Sequence, residues 1–142
     1  MRCQKIGKVF LKHILFIKTV TFSAGGYFDC LDVITVQLQA NKTIYTMEHP
    51  FSSEGLAPVS QEGMSKRQFL EEIQDLHIEN WKKDYDDLTI MDGEQWSLTI
   101  EFSDGYGPVE ITGSNAYPPH FESLRQLMTF SHSAEKGVNT YG

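Results

Sequence analysis

Gln95-Trp96-Ser97-Leu98-Thr99-Ile100-Glu101-Phe102, running into Ser103-Asp104-Gly105-Tyr106-Gly107, is the passage that decides the fold. Trp96, Leu98, Ile100 and Phe102 alternate with Ser97, Thr99 and Glu101, the period of a strand with one buried and one solvent face. The glycine-rich pentapeptide is a hairpin turn. Val109 and Ile111 carry the alternation into a returning strand. The same pattern recurs upstream. Ile34, Val36 and Leu38 alternate with Thr35, Gln37 and Gln39. Ala40-Asn41-Lys42 then turns the chain, since asparagine tolerates left-handed backbone, toward a third strand over Thr43 to Glu48. Leu15 to Phe22, rich in β-branched and aromatic residues, predicts a first strand with Phe16, Val20 and Phe22 on one face and Ile17, Thr19 and Thr21 on the other.

Helical spacing occurs twice. Ser65-Lys66-Arg67-Gln68 fits a capping box before Phe69, Leu70, Ile73 and Leu76, which predicts a helix over about 66–77. Trp81 and Tyr85 are four apart and share a face if the helix continues or a second one follows. Pro119 can open another helix, striped by Phe121, Leu124, Leu127 and Met128. His49 to Met64, with Pro50, Gly55, Pro58 and Gly63, reads as a loop. The expected fold is therefore α+β: an antiparallel sheet of about five strands in the order β-β-β-α-β-β-α, with two helices packed on one face. One domain spans 1–142, with 1–12 and 133–142 as loosely ordered ends.

The chain carries a formal net charge of −7, which phosphate repels, so direct nucleic-acid binding is disfavoured. The charge is uneven. Arg2, Lys5, Lys8, Lys12 and Lys18 occupy the first eighteen residues without an acid, whereas 71–104 holds eleven acids against Lys82 and Lys83. An acidic segment of this kind attracts a basic partner. Cys3 and Cys30 make no disulfide framework and fit a reducing cytoplasm. No run of 18 apolar residues exists to span a membrane.

The sequence holds no recognisable catalytic constellation. The five histidines lack zinc spacing. Asp84-Tyr85-Asp86-Asp87 begins like a calcium loop, but Thr89 stands where glycine is required. Gly105-Tyr106-Gly107 lies in a hairpin rather than between a strand and a helix, so it is no dinucleotide fingerprint. No cofactor and no metal are expected. Two candidate binding surfaces remain. One is the connector Gly113-Ser114-Asn115-Ala116-Tyr117-Pro118-Pro119-His120-Phe121, where Asn115, Tyr117 and His120 could line an anion or peptide pocket at a helix start. The other is an acidic face of Glu79, Asp84, Asp86 and Asp87.

Trp81-x3-Tyr85, Asp92-Gly93-x-Gln95-Trp96, Asp104-Gly105 and Gly113-Ser114-Asn115-Ala116-Tyr117-Pro118-x2-Phe121, with Phe22-Ser23-Ala24-Gly25-Gly26-Tyr27-Phe28 near the start, resemble a family of small proteins of Gram-positive gut bacteria. The resemblance spans about residues 14–128. It implies a bacterial or phage-borne cytoplasmic protein, and it transfers no catalytic residue. The function expected from the residues is non-enzymatic binding, as in an inhibitor or immunity-type protein acting on a basic partner. The alternatives are a small-ligand-binding protein or enzyme using Asn115–His120, and a structural subunit that self-assembles into a homo-oligomer.

Overall fold

The computed structural model describes residues 5–26, 32–48, 59–86 and 94–129. Within them the alternating stretches form one seven-stranded sheet. The strands are β1 (Ile17–Gly26), β2 (Asp32–Leu38), β3 (Lys42–Glu48), β4 (Val59–Ser65), β5 (Asp84–Asp86), β6 (Glu94–Phe102) and β7 (Val109–Ser114). Their spatial order is β4-β3-β2-β1-β6-β7-β5. Neighbours are antiparallel except β5, which runs parallel to β7. Three helices accompany them: α1 (Val9–His13), continued by a 3₁₀ turn at Ile14–Phe16, α2 (Lys66–Asp75) and α3 (Phe121–Leu127). The class is α+β as the alternation predicts, but the sheet is larger than expected and mixed.

Each departure has a local cause. β4 falls in the stretch read as a loop. It is an edge strand paired only with β3, and an edge strand needs no apolar alternation because little of it is buried; its Val59 is half exposed. The Trp81–Tyr85 helix face does not form. His77 adopts left-handed backbone, φ 56°, which stops α2, and a 3₁₀ turn at Ile78–Asn80 follows. The chain then extends to pair Asp84, Tyr85 and Asp86 with Thr112, Gly113 and Ser114. In β1 the register shifts between Ile17 and Thr19. This bulge changes the facing of the residues before it, so Ile17 is buried while Phe16 is half exposed.

The N-terminal stretch is tied down from Lys5 onward. The Ile6 and Gly7 N–H groups donate to the Trp81 and Glu79 carbonyls at 2.8 and 2.9 Å. Phe10 is fully buried, edge-on to Phe102. His13 bonds Asp104 at 2.7 Å and stacks on Tyr106.

The inward rows of the sheet join the helices in one apolar cluster. Val20, Phe22, Val36, Leu98, Ile100 and Ile111 meet Phe69, Ile73, Leu124 and Leu127 there. The predicted cap of α2 is present, with the Gln68 N–H donating to the Ser65 hydroxyl at 3.1 Å. At the far end the Tyr45 hydroxyl donates to the Leu127 carbonyl at 2.8 Å and ties α3 to β3. Asp87, the Asp92-Gly93 turn, Cys3, Cys30 and the 133–142 end lie outside the described residues.

Candidate functional site

The connector from β7 to α3 is held mainly by its own bonds to β6. Asn115 sits in left-handed backbone, φ 62°. Its N–H donates to the Glu94 carbonyl at 3.0 Å, and its Oδ1 accepts from the Glu94 N–H at 3.0 Å. Asparagine suits the position because its short amide bonds locally in a conformation most residues avoid. One residue on, the Ala116 carbonyl accepts from the Trp96 indole N–H at 3.0 Å. Gly113 lies directly under that indole, where a Cβ would collide with it. Tyr117 lays its ring parallel to Trp96 and against Phe121.

A charged clasp closes this unit. The Arg125 guanidinium donates to both Glu94 carboxylate oxygens, at 2.8 and 3.0 Å, and the Tyr117 hydroxyl donates to Oε1 at 2.9 Å. The Arg125 bonds hold the Glu94 carboxyl below its ordinary range, against the upward pull of partial burial and with help from Tyr117. Burial and the Glu94 bond raise the Tyr117 phenol. Asn115 and Tyr117 are therefore occupied within the protein. His120 is exposed in left-handed backbone, φ 66°, with its ring 6.2 Å from that of His77. The Phe121 N–H at the start of α3 already donates to the Pro118 carbonyl, and α3 has only seven residues.

Of the four acids of the predicted face, Asp87 lies outside the described residues, and Glu79 and Asp84 are placed differently. The Glu79 side chain is only 11% exposed and bonds the His77 ring at 3.1 Å. Asp84 is exposed on β5 and accepts from the Thr112 hydroxyl at 2.9 Å. Asp86 follows it on the same strand.

What the strands bring together is a different surface. The helices cover one face of the sheet, and among the described residues no element packs on the other. Register aligns three rows across that outer face. The first is Glu62, Ile44, Gln37, Thr19 and Glu101. The second is Ser60, Thr46, Thr35, Thr21, Thr99 and Glu110. The third is Glu48, Val33, Ser23, Ser97, Thr112 and Asp84. The centre is a field of small hydroxyls bonded across strands: Ser23 to Ser97 at 2.8 Å, Thr46 to Ser60 at 3.0 Å and Thr19 to Glu101 at 3.0 Å. Carboxylates frame it at both ends of the first and third rows. With strands about 4.8 Å apart, the longest rows span about 24 Å. The field has little charge at its middle and little rotamer freedom to lose.

Sequence alternation places Ser97, Thr99 and Glu101 outward, but only the pairing register assembles the rows. No protein family, no curated protein and no solved structure matches the chain.

Proposed function

We propose that the protein is a non-enzymatic interaction protein that receives a basic partner protein on the outer face of its sheet, as an inhibitor or immunity-type protein does. The observation that carries this reading is the hydroxyl field, on which no element of the described residues packs, framed by Glu48, Glu62, Glu101, Glu110 and Asp84. A flat face of short, mutually bonded side chains costs little entropy to bury. Carboxylates at its rim steer and orient a cationic partner without having to be desolvated at the centre. The net charge of −7 adds to that steering and argues against nucleic acid as the partner. The cytoplasmic setting is part of the proposal. Of the three groups expected to line a ligand pocket at the connector, Asn115 and Tyr117 are engaged with Glu94 and only His120 stands exposed, which weighs against an enzyme or small-ligand site there.

The test is capture from lysate of the source cell with two variants in parallel. A variant carrying Asp84→Lys, Glu101→Lys and Glu110→Lys loses the captured partner, and a variant carrying Glu71→Lys and Glu72→Lys on α2 retains it. Equal retention by both overturns the reading.

A further inference from the structure

The helical side of the molecule carries a second surface of opposite character. Val9, Leu11, Leu15 and Phe16 are 48, 44, 69 and 47% exposed, four large apolar side chains within eight residues. A five-residue helix that buries only Phe10 leaves its flanking Val9 and Leu11 in water. Clustered exposure of this kind marks an interaction surface, whereas isolated exposed leucines do not. Leu15 also walls a groove of about 620 Å³ lined further by Asn41, Lys66, Arg67, Leu70 and Glu71. Glu71 is paired with Arg67 at 3.5 Å, which leaves Lys66 as the cation of the lining without a carboxylate partner among the described residues. Leu70 is only 7% exposed, an apolar floor beneath the exposed Leu15. Lys5, Lys8, Lys12 and Lys18 are exposed on the same segment, and among the described residues none of the four ammonium groups has a carboxylate partner. On a chain with net charge −7, this is a concentration of unpaired positive charge beside apolar surface.

We infer that this groove between Leu15 of the 3₁₀ turn and α2 docks an acidic, amphipathic segment of a second protein, with a leucine-sized side chain set between Leu15 and Leu70 and carboxylates against Lys66 and against Lys12 and Lys8, which lie three and seven residues before Leu15 on the same helical stretch. Charge complementarity decides the sign of the occupant. Shape decides its class: a concave groove accepts a peptide side chain, whereas a bilayer offers a flat surface that would also repel the acidic body of the molecule. A second copy meeting this surface with its own would oppose lysine to lysine, and on its outer sheet face the apolar side chains, Val33 and Ile44, are themselves half-buried. The inference is independent of the outer-face reading.

The experiment is selection of random peptides displayed on phage against the full-length chain, followed by fluorescence titration of the winning peptide. The expected result is enrichment of Asp and Glu interspersed with Leu, Ile or Phe. Affinity should then fall at least about tenfold, a loss of about 1.4 kcal/mol, for Leu15→Asp and for the Lys8→Glu/Lys12→Glu variant. All three positions are exposed, so circular dichroism should confirm an intact fold. The Glu101→Lys/Glu110→Lys variant should bind the peptide as the parent does, so that failure here leaves the outer-face proposal standing. Recovery of no peptides, or of peptides indifferent to Leu15→Asp, overturns the inference. So does co-sedimentation with vesicles of about one-third phosphatidylserine that is abolished by Lys8→Glu/Lys12→Glu when no acidic peptide is selected, which would assign the surface to a membrane. Concentration-dependent self-association in light scattering, abolished by Leu15→Asp, overturns it in favour of a second copy.

Discussion

Arg125 on α3 grips both carboxylate oxygens of Glu94 at the start of β6, at 2.8 and 3.0 Å, and so fixes the last helix against the strand that organises the sheet. Bidentate guanidinium–carboxylate pairs are among the stronger polar contacts a protein makes, because geometry and charge favour the same pose. This one is partly screened by solvent, with side-chain exposures of 34 and 28%. Arg125→Met is expected to lower stability by about 1–2 kcal/mol, since it removes two charge-assisted bonds from such a site. Urea denaturation followed by tryptophan fluorescence measures it.

The same clasp sets a pH dependence. Arg125 is the main cause that holds the Glu94 carboxyl below its ordinary value of 4.5. The unfolded chain therefore binds this proton more readily than the folded one. The stabilisation is complete above that ordinary value and disappears as pH falls through the lower folded one. The urea midpoints of the parent and Glu94→Gln should differ at neutral pH, and the gap should narrow progressively as pH falls below the ordinary value of 4.5. A gap that shows no narrowing at all across the acid range contradicts the assignment.

Gly113 is needed for space rather than for flexibility. A Cβ there would meet the Trp96 indole, which is itself pinned by its bond to the Ala116 carbonyl. Gly113→Ala should cost about 1–3 kcal/mol through overpacking and shift Trp96 emission to the red. At Gly107 no atom lies within 4 Å of where a Cβ would stand, so alanine should change stability by no more than about 0.5 kcal/mol.

Asn115 tests the turn itself. Alanine there loses the bond to the Glu94 N–H and keeps a side chain in left-handed backbone, for an expected loss of about 1–3 kcal/mol. Glycine loses the bond but relieves the backbone, and should cost less than alanine. The reverse order in thermal or urea melts would show that the turn is not the reason for asparagine.

Much of this architecture is legible in the residues. β2, β3, β6 and β7 follow from strict alternation, and the start of α2 from Ser65 and Gln68. What escapes is whatever the alternation does not report. β4 is polar because only one of its edges is paired. β5 is three residues long and owes its place to a parallel pairing with β7 that no local pattern encodes. α1 is only five residues long, and its single buried anchor, Phe10, reads as a member of a frayed end. At the connector, asparagine's tolerance of left-handed backbone points to the Asn115 turn, but Arg125 stands 31 residues from Glu94 with no periodicity to join them. The acids behave likewise. Glu79 and Asp84 are near in sequence, yet a 3₁₀ turn buries the first and an edge strand exposes the second. The carboxylates that share a face, Glu62 with Glu101 and Glu48 with Asp84, come from opposite ends of the sheet.

The N-terminal anchor carries its own prediction. Phe10 is fully buried against Phe102, so Phe10→Ala should cost about 3–5 kcal/mol, a large share of the stability of a domain this size. A loose N-terminal end would make the same substitution nearly silent in a urea titration.

The outer sheet face as the binding surface is tested most directly by carboxyl footprinting of the complex. Carbodiimide coupling of a small amine, read by mass spectrometry with and without the captured partner, reports each acid separately. Glu101, Glu110 and Asp84 should become protected while Glu71, Glu72 and Asp75 on α2 react unchanged. Protection confined to α2, with the outer-face acids still reactive, would contradict the proposed binding surface.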